Sequence, residues 1–220
     1  MKSKKQSASG KGVFISFEGP ECAGKTTQIR MLQEYFNKKN IDTVVTREPG
    51  GTVIGEELRK IVKHHVGETA VVDEAEVLLF AASRAQHVHK VIVPALNSGI
   101  NVICDRYVDS TTAYQGYGRG LDLSFIEMLN RFATAGCMPD LTFVLDLTAE
   151  ESSDRIGKRE ETLFIEDRIE SAELSFHKKV RQGFLEIARR EPQRVKIISA
   201  VQPKEVIHGQ IIGLLENVIG

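Results

Sequence analysis

This sequence of 220 residues has almost no net charge, few cysteines and no long apolar run. Lysine and arginine together number 29, and aspartate and glutamate number 30, so the formal net charge is −1. A chain without surplus positive charge lacks the broad electrostatic field that holds proteins on nucleic acid or on an anionic membrane. We therefore predict that neither nucleic acid nor a membrane is a partner of this protein.

No apolar run reaches the length of about 20 residues that a transmembrane helix needs. Residues 1–11 carry four lysines and no acidic residue, and they lack the apolar stretch of a secretory signal. We predict a disordered N-terminal arm at residues 1–11, followed by a single domain at residues 12–220. A lysine run of this kind is usually just solvated, and an arm that binds nucleic acid is the alternative.

The cysteines, Cys22, Cys104 and Cys137, are odd in number and far apart in the sequence. This spacing is typical of reduced thiols in the cytoplasm rather than of a disulfide framework. The six histidines follow no zinc-binding spacing such as His-Glu-x-x-His. We therefore predict a cytoplasmic location.

Short apolar segments alternate with segments of helical periodicity along the chain. Strands are predicted at residues 13–18, 42–46, 100–104, 141–147 and 195–199. Helices are predicted at residues 25–39, 56–65, 73–96, 110–114, 123–134, 172–190 and 206–218. Asp73 and Glu76 have the spacing of a capping box, whereas the charged segment 152–168 lacks clean periodicity. The alternation predicts an α/β fold, a five-stranded parallel sheet flanked by helices on both faces.

A glycine-rich pattern, G-x-x-x-x-G-K-[ST], occupies residues 19–26, between the first predicted strand and the first predicted helix. Glycines let backbone N–H groups curl around a polyphosphate, and the helix N-terminus adds a partial positive charge. We expect Lys25 to reach the β- and γ-phosphates of a nucleotide and the Thr26 hydroxyl to ligate Mg²⁺. The predicted nucleotide-binding residues are Gly19, Pro20, Glu21, Cys22, Ala23, Gly24, Lys25, Thr26 and Thr27.

Charged residues stand directly after two other predicted strands. Ligands bind beyond the carboxyl ends of the strands in an open parallel sheet. Asp105 is therefore placed to hold Mg²⁺ or its water, and Arg106 to grip a phosphate with its guanidinium. Arg47 ends the second strand in the same way. A surface ion pair at Arg106 and an ordinary turn after Arg47 are the alternatives.

The chain resembles the bacterial thymidylate kinases, which are P-loop enzymes of the nucleoside monophosphate kinase group. The matching blocks, in the family's order, are residues 17–27, 47–52, 78–87, 105–120, 139–147 and 167–170. The resemblance implies a P-loop NTPase fold, a three-layer sandwich, and transfer of the γ-phosphoryl group of ATP to dTMP in dTTP biosynthesis. It also implies Mg²⁺ as cofactor, ATP and dTMP as binding partners, and a homodimer.

The resemblance also assigns a binding site for dTMP. Phe80 resembles the ring that stacks on thymine and Arg84 the donor to a thymine carbonyl, although Phe80 alone would be read as a core residue. Glu21 looks like the acidic residue near the sugar, and Tyr114 lies at a position beneath the deoxyribose. The dTMP-binding residues that the resemblance implies are Glu21, Arg47, Phe80, Arg84, Arg106, Thr111, Tyr114 and Gln115.

Residues 150–168 resemble the family's lid, a segment that closes over ATP. The phosphate loop carries no arginine, so the resemblance implies that a lid arginine stabilises the transferring phosphoryl group. Arg155 and Arg159 are both candidates, and a solvated charged helix is the alternative. The implied catalytic residues are Lys25, Asp105, Arg106, Arg155 and Arg159.

Two other functions remain open on the sequence. A kinase of the same fold could act on a different nucleotide or on a deoxynucleoside, and a nucleotide-gated scaffold could keep the fold without catalysis. The presence of Lys25, Thr26 and Asp105 argues against the scaffold. A GTPase switch is excluded because no Asn-Lys-x-Asp guanine reader is present.

Overall fold

Five parallel strands form one sheet in the structure, a computed structural model. It describes residues 10–64, 70–160 and 173–219, apart from the side chains of 64, 158–160 and 217–219. The strands are β1 (Phe14–Glu18), β2 (Thr43–Arg47), β3 (Asn101–Asp105), β4 (Leu141–Asp146) and β5 (Val195–Ser199). Their order across the sheet is β2-β3-β1-β4-β5, and every neighbouring pair is parallel. The predicted α/β fold is confirmed, and each strand lies close to its predicted bounds.

Helices connect successive strands. They are α1 (Lys25–Lys38), α2 (Val53–His64), α3 (Asp73–His87), α4 (Val93–Asn97), α5 (Val108–Thr111), α6 (Leu123–Thr134), α7 (Ala149–Glu160), α8 (Leu174–Arg190) and α9 (Lys204–Ile219). A π-helical segment, Val88–Ile92, joins α3 to α4, and another, Thr112–Gly118, continues α5. The long helix predicted at 73–96 is therefore one continuous helical run that contains a π-helical segment.

The central strands are buried on both faces because helices cover each side of the sheet. Ile15 and Phe17 of β1 pack in one cluster with Leu32 of α1. Phe14, on the opposite face of the same strand, packs with Ile92 and the residues around it. Every residue of β1 is buried, whereas the edge strand β2 has no fully buried position. This arrangement gives three layers, and it explains why the inner strands read as continuous apolar runs.

The predicted capping box is wrong. Helix α3 begins at Asp73 itself, and the N-cap residue Val72 makes no side-chain capping hydrogen bond. Glu76 is fully buried, and its carboxylate accepts a hydrogen bond of 2.8 Å from the Gln115 amide. A distant partner in the fold therefore holds this side chain in place of the local cap.

The charged segment without clean periodicity is helical through Glu160 as α7. Ala149, Ser152 and Ile156 form its buried side, and their spacing is that of one helical face. The middle member is polar, and its hydroxyl donates to the backbone carbonyl of Glu21 at 2.8 Å. A serine in the buried stripe hides the helical pattern from a reading based on apolar residues.

Parts of two predicted segments lie outside the described residues, namely 1–9 of the arm and 161–168 of the lid. The division into an arm and a single domain therefore stays a prediction. Within the described ranges, no helix is both long enough and apolar enough to cross a membrane.

Candidate active site

The loops that follow β1, β2 and β3 open onto one cavity of about 520 Å³ at the carboxyl edge of the sheet. The register of the strands pairs Arg47 with Asp105 and Phe17 with Asp105, so the loops start side by side. An open parallel sheet binds its ligands at this edge. The predicted residues that line the cavity are Glu21, Cys22, Ala23, Gly24, Lys25, Thr26, Thr27, Arg47, Phe80, Arg84, Asp105, Arg106, Thr111, Tyr114 and Gln115.

The phosphate loop runs from Gly19 to the first turn of α1. Gly19 and Gly24 have positive φ angles of 124° and 92°, and a Cβ atom on Gly19 would lie 2.3 Å from the carbonyl oxygen of Leu145. The Lys25 ammonium donates to the carbonyls of Gly19 at 3.2 Å and Pro20 at 2.8 Å. Burial, followed by the nearby Arg106 charge, lowers the pKa of Lys25. The phosphate loop therefore holds the buried ammonium of Lys25 on its concave side.

Two oxygen donors suited to a divalent cation meet at the mouth of the loop. The Thr26 hydroxyl lies 3.4 Å from Oδ2 of Asp105. A hydroxyl and a carboxylate match the hard oxygen ligands that Mg²⁺ prefers, with water and substrate phosphates completing the octahedron. The described residues hold no group of three or more His, Cys, Asp or Glu side chains that could bind a metal ion without substrate. The residues present therefore fit Mg²⁺ bound together with a nucleotide.

Arg106 connects the phosphate loop to the far wall of the cavity. It has a positive φ of 67°, and its guanidinium reaches back to the phosphate loop. The guanidinium donates to Glu21, to the Gly19 carbonyl at 3.0 Å and to the Ser110 hydroxyl at 3.1 Å. Burial alone would raise the pKa of Glu21, but the charges of Arg106 and Lys25 together lower it to about 2. Glu21 is therefore an ionised acceptor inside the cavity.

Arg47 contributes a second cation at the cavity rim. Its guanidinium pairs with Glu56 at 2.7 Å, and about half of its side chain is exposed (51%). Glu56 also accepts from the Gly51 N–H at 3.0 Å, so the ion pair closes the turn that follows β2. The peptide bond between Glu48 and Pro49 in this turn is cis.

Aromatic and amide side chains line the end of the cavity that is formed by α3 and by the π-helical segment after α5. Phe80 is half-buried and borders the cavity rather than joining the core. The Tyr114 ring lies under the Arg106 guanidinium at 5.0 Å and packs edge-to-face on Phe184, with 6.1 Å between ring centroids. Gln115 is buried, with its amide directed to Glu76. This end offers a flat apolar surface beside a few polar groups.

Arg84 is held inside a buried network. Its guanidinium donates to Glu48 at 2.8 Å, to Asn130 at 2.8 Å and to the Tyr107 carbonyl at 3.1 Å. Glu48 also bonds His87 at 3.0 Å. Only 1% of Arg84 is exposed, although it still borders the cavity. Its position is therefore fixed without any ligand.

One of the two candidate lid arginines is placed by the described residues. Arg155 of α7 donates to the Cys22 carbonyl at 3.3 Å and to the Ala200 carbonyl at 3.0 Å. It therefore bridges the phosphate loop and the loop after β5. Arg159 lies one turn further along α7, and its side chain is outside the described part of the chain.

Comparison with known proteins decides the family. The family model described as thymidylate kinase matches residues 17–211. The chain belongs to the thymidylate kinase family. It is 46% identical over 210 residues to a thymidylate kinase of Carboxydothermus hydrogenoformans, covering 96% of this chain and 100% of that protein. It is 45% identical to one of Pelotomaculum thermopropionicum over 210 residues, covering 95% of each.

A solved member of the thymidylate kinase family has the same fold. The crystal structure of thymidylate kinase from Ehrlichia chaffeensis matches with a TM-score of 0.74 at 34% identity, covering 94% of this chain and 99% of that chain. The family that the sequence blocks predict is therefore confirmed. The roles of individual residues within that family fold stay predictions for this chain.

Sequence reasoning missed Glu18, a fully buried residue at the end of β1. Its carboxyl group accepts from the Tyr107 N–H at 2.6 Å and lies 2.5 Å from the Ser110 hydroxyl, which in turn accepts from Arg106. Burial, and then the charge of Asp109, raises the pKa of Glu18 to about 8. A glutamate that ends an apolar strand immediately before the phosphate loop is a signal in the sequence that could have indicated it.

Three further polar residues of the site were also missed, namely Glu48, His87 and Asn130. Each is buried, and together they fix Arg84. Glu48 stands directly after the predicted clamp Arg47, which is a weak signal. Asn130 lies in a helix whose apolar pattern gives no indication of a polar partner.

Proposed function

We propose that this protein transfers the γ-phosphoryl group of ATP to dTMP, giving dTDP and ADP, and so serves dTTP biosynthesis. One observation carries the proposal. A phosphate loop and the two arginines Arg47 and Arg106 line one cavity, which Phe80 and Gln115 also border. Membership of the thymidylate kinase family supports this choice of acceptor.

The phosphate loop would hold ATP. Backbone N–H groups at the start of α1, with the partial positive charge of the helix N-terminus, suit the β- and γ-phosphates. The Lys25 ammonium, which now donates to the carbonyls of Gly19 and Pro20, would exchange those partners for phosphate oxygens. The predicted binding residues 19–27 are all in this loop or in the first turn of α1.

Arg106 and Arg47 would hold the phosphate of dTMP against the γ-phosphate. Two polyanions repel each other, so fixed guanidinium groups between them lower the cost of bringing the reacting atoms together. An oxygen of the acceptor phosphate is already anionic and can attack without a general base. Catalysis would therefore consist of positioning and charge neutralisation.

Thr26 and Asp105 would hold Mg²⁺. Bound Mg²⁺ bridges phosphate oxygens and neutralises the charge that develops during transfer. A lid arginine would add a further positive charge at the transferring group. Both Arg155 and Arg159 stay candidates, and the contacts of Arg155 with the Cys22 and Ala200 carbonyls support a role beside ATP.

The base and sugar of dTMP would occupy the opposite end of the cavity. Phe80 offers a ring for stacking on thymine, and the buried guanidinium of Arg84 offers a donor to a thymine carbonyl. The ionised Glu21 suits a sugar hydroxyl, and Tyr114 packs at the place proposed for the deoxyribose. Thr111 and Gln115 complete the set of proposed dTMP-binding residues.

A steady-state assay with ATP, Mg²⁺ and a panel of acceptors tests the proposal. The panel comprises dTMP, dUMP, dCMP, CMP, AMP, GMP and the unphosphorylated nucleoside thymidine. We expect dTMP to have the highest kcat/KM. Arg47 and Arg106 both require a phosphate on the acceptor, and the part of the cavity beside Phe80 fits a pyrimidine. Faster turnover of CMP, AMP, GMP or thymidine than of dTMP would contradict the proposal.

The protein is further proposed to be a cytoplasmic homodimer. Phe125, Met128 and Phe132 follow helical spacing along α6 and are all exposed, as is Leu78 of the neighbouring α3. A second copy could cover this apolar face. Sedimentation at micromolar concentration should give a dimer, and Phe132→Asp should give a monomer. A monomeric unaltered protein would contradict this part. Cys22, Cys104 and Cys137 all lie in the described part of the chain and form no disulfide there, which supports the cytoplasmic location.

A further inference from the structure

A buried carboxylate contacts the amide side chain that borders the far end of the cavity. Nε2 of Gln115 donates to Oε1 of Glu76 at 2.8 Å. Glu76 is fully buried and Gln115 is 2% exposed, yet Gln115 still lines the cavity. The two residues lie on different elements, α3 and the π-helical segment after α5. The pair is therefore a contact of the fold rather than of a local turn.

Oε1 of Glu76 accepts from the Gln115 amide, and a carboxyl oxygen that accepts fixes which way a neighbouring amide points, because only the amide nitrogen can donate to it. A glutamine without such a partner can rotate its amide by half a turn, which exchanges its oxygen and its nitrogen. Beside Glu76, only the NH₂ group of Gln115 can face the carboxylate. The oxygen and the second N–H of the amide are then left in one defined arrangement.

Glu76 is itself held in place by other side chains. Nη2 of Arg119 lies 3.5 Å from its Oε2, and the same guanidinium reaches Asp73 at 3.2 Å. The guanidinium also lies over the Phe176 ring at 4.7 Å. A carboxylate anchored in this way cannot follow a rotation of the Gln115 amide.

The fixed amide distinguishes two pyrimidines. Thymine presents an N3–H donor beside an O4 acceptor, which the oxygen and the remaining N–H of Gln115 can both satisfy. Cytosine presents an N3 acceptor beside an amino donor, which would require the amide to be turned round. Arg84, a donor only, borders the same cavity and adds to the preference for a carbonyl at position 4.

We propose that Glu76 is a positioning residue that fixes the Gln115 amide and thereby makes the site select thymine over cytosine. The proposal deepens the proposed function and rests on it. Glu76 touches no substrate in this scheme, since it acts only through Gln115. Its replacement should therefore change the choice of base more than the rate of phosphoryl transfer.

The test is the ratio of kcat/KM for dTMP to kcat/KM for dCMP in Glu76→Gln. A neutral amide at position 76 can both donate and accept, so it allows either orientation of Gln115. We expect the ratio to fall about tenfold, within the range for hydrogen-bonded base discrimination, with kcat for dTMP changed less than about threefold. Glu74→Gln is the matched control, because Glu74 lies on the same helix but is exposed; its ratio should match that of the unaltered protein.

The outcomes separate this proposal from the proposed function. If the unaltered protein prefers dCMP, the proposed function fails. If it prefers dTMP but Glu76→Gln keeps the ratio within about twofold, only the role of Glu76 fails. Equal losses for both substrates would indicate a merely structural role and would also overturn it. If Glu76→Gln does not fold, Glu76→Asp is measured in its place. The shorter aspartate cannot reach Gln115, so we expect the same fall in the ratio of kcat/KM for dTMP to that for dCMP.

Discussion

We call the part of the site that is proposed to bind dTMP the acceptor half and the part that is proposed to bind ATP the donor half, and the two hold their cations in different ways. In the acceptor half, the Arg84 guanidinium is bound by the side chains of Glu48 and Asn130, and Arg47 is paired with Glu56. In the donor half, Lys25 and Arg155 donate to backbone carbonyls. The Arg84–Glu48 pair is buried and fixes its guanidinium before any ligand arrives, whereas the Arg47–Glu56 pair is half-exposed and holds its guanidinium less firmly. Neutral carbonyl partners are weaker and can be exchanged for phosphate oxygens.

We infer from this difference that the two halves of the site have different roles. In the acceptor half, the buried network around Arg84 is suited to selecting a substrate. In the donor half, Lys25 and Arg155 would exchange their carbonyl partners for phosphate oxygens as ATP binds. Arg106 belongs to both, because it contacts Glu21 and the Gly19 carbonyl on one side and Ser110 on the other. Substitutions in the two halves should therefore affect different kinetic constants.

The largest effect is expected at Lys25 in the donor half. Lys25→Ala removes the buried cation of the phosphate loop, so kcat should fall about 10²–10³-fold. The fold should survive, because the ammonium donates to backbone carbonyls that water can then reach. Turnover and thermal unfolding are both measured. Lys38→Ala, at the exposed end of the same helix, is the control, and a kcat for Lys25→Ala within tenfold of it would refute the assigned role.

The second largest effect is expected at Arg106, and it should exceed the effect at Arg47, the other arginine proposed to hold the phosphate of dTMP. Arg106→Lys loses a guanidinium that reaches three partners at once, so kcat/KM for dTMP should fall about 10²-fold. Arg47→Lys, at a half-exposed position, should cost about tenfold. The KM for ATP should change little in Arg47→Lys, because Arg47 is paired with Glu56 and not with the phosphate loop. Equal losses for the two arginines, or an unchanged KM for dTMP in Arg106→Lys, would contradict the assignment and favour an uncharged acceptor.

A smaller effect is expected at the lid. Arg155→Ala removes a guanidinium that lies between the phosphate loop and the loop after β5 and that would turn to ATP, so the KM for ATP should rise about tenfold. The KM for dTMP should stay within about twofold, because the acceptor half does not involve this residue. Arg159→Ala measured in the same assay shows which lid arginine matters more for kcat. A rise in the KM for dTMP without a rise in the KM for ATP would contradict the assignment of Arg155 to the donor half.

The sequence predicts most of the fold and the phosphate loop because both depend on local patterns. Buried parallel strands read as apolar runs, and the loop residues are consecutive. The buried polar partners are different in kind. Glu76 lies 39 residues from Gln115, and Glu48 lies 36 residues from Arg84. No period or spacing links such pairs, so the local pattern predicts a helix cap at Glu76, whereas the fold pairs it with Gln115.

The smallest effect concerns Glu18, which lies beneath the junction at Arg106. Burial and Asp109 raise its pKa from 4.5 to about 8, against the opposing effects of Arg106, Ser110 and the Tyr107 N–H. The carboxyl group therefore keeps its proton in the folded state over a pH range in which the unfolded chain has lost it. Between about pH 5 and pH 8 the folded state binds more protons, so its stability falls as pH rises.

Glu18→Gln removes this dependence, because an amide does not titrate. The free energy of unfolding in urea, measured at pH 5, 6.5 and 8, should fall with pH more steeply for the unaltered protein than for Glu18→Gln. The difference should reach at least about 1 kcal/mol, since each unit of pKa difference corresponds to about 1.4 kcal/mol.

Glu186→Gln is the control, because the pKa of Glu186 is lowered to about 2 by its hydrogen bonds with Arg189 and Arg190. Glu186 is ionised in both states above pH 5, so its replacement should shift the curve without changing its slope. Parallel curves for Glu18→Gln and the unaltered protein would mean that Glu18 is ionised beneath Arg106, and that the junction is an ion pair rather than a neutral hydrogen-bonded contact.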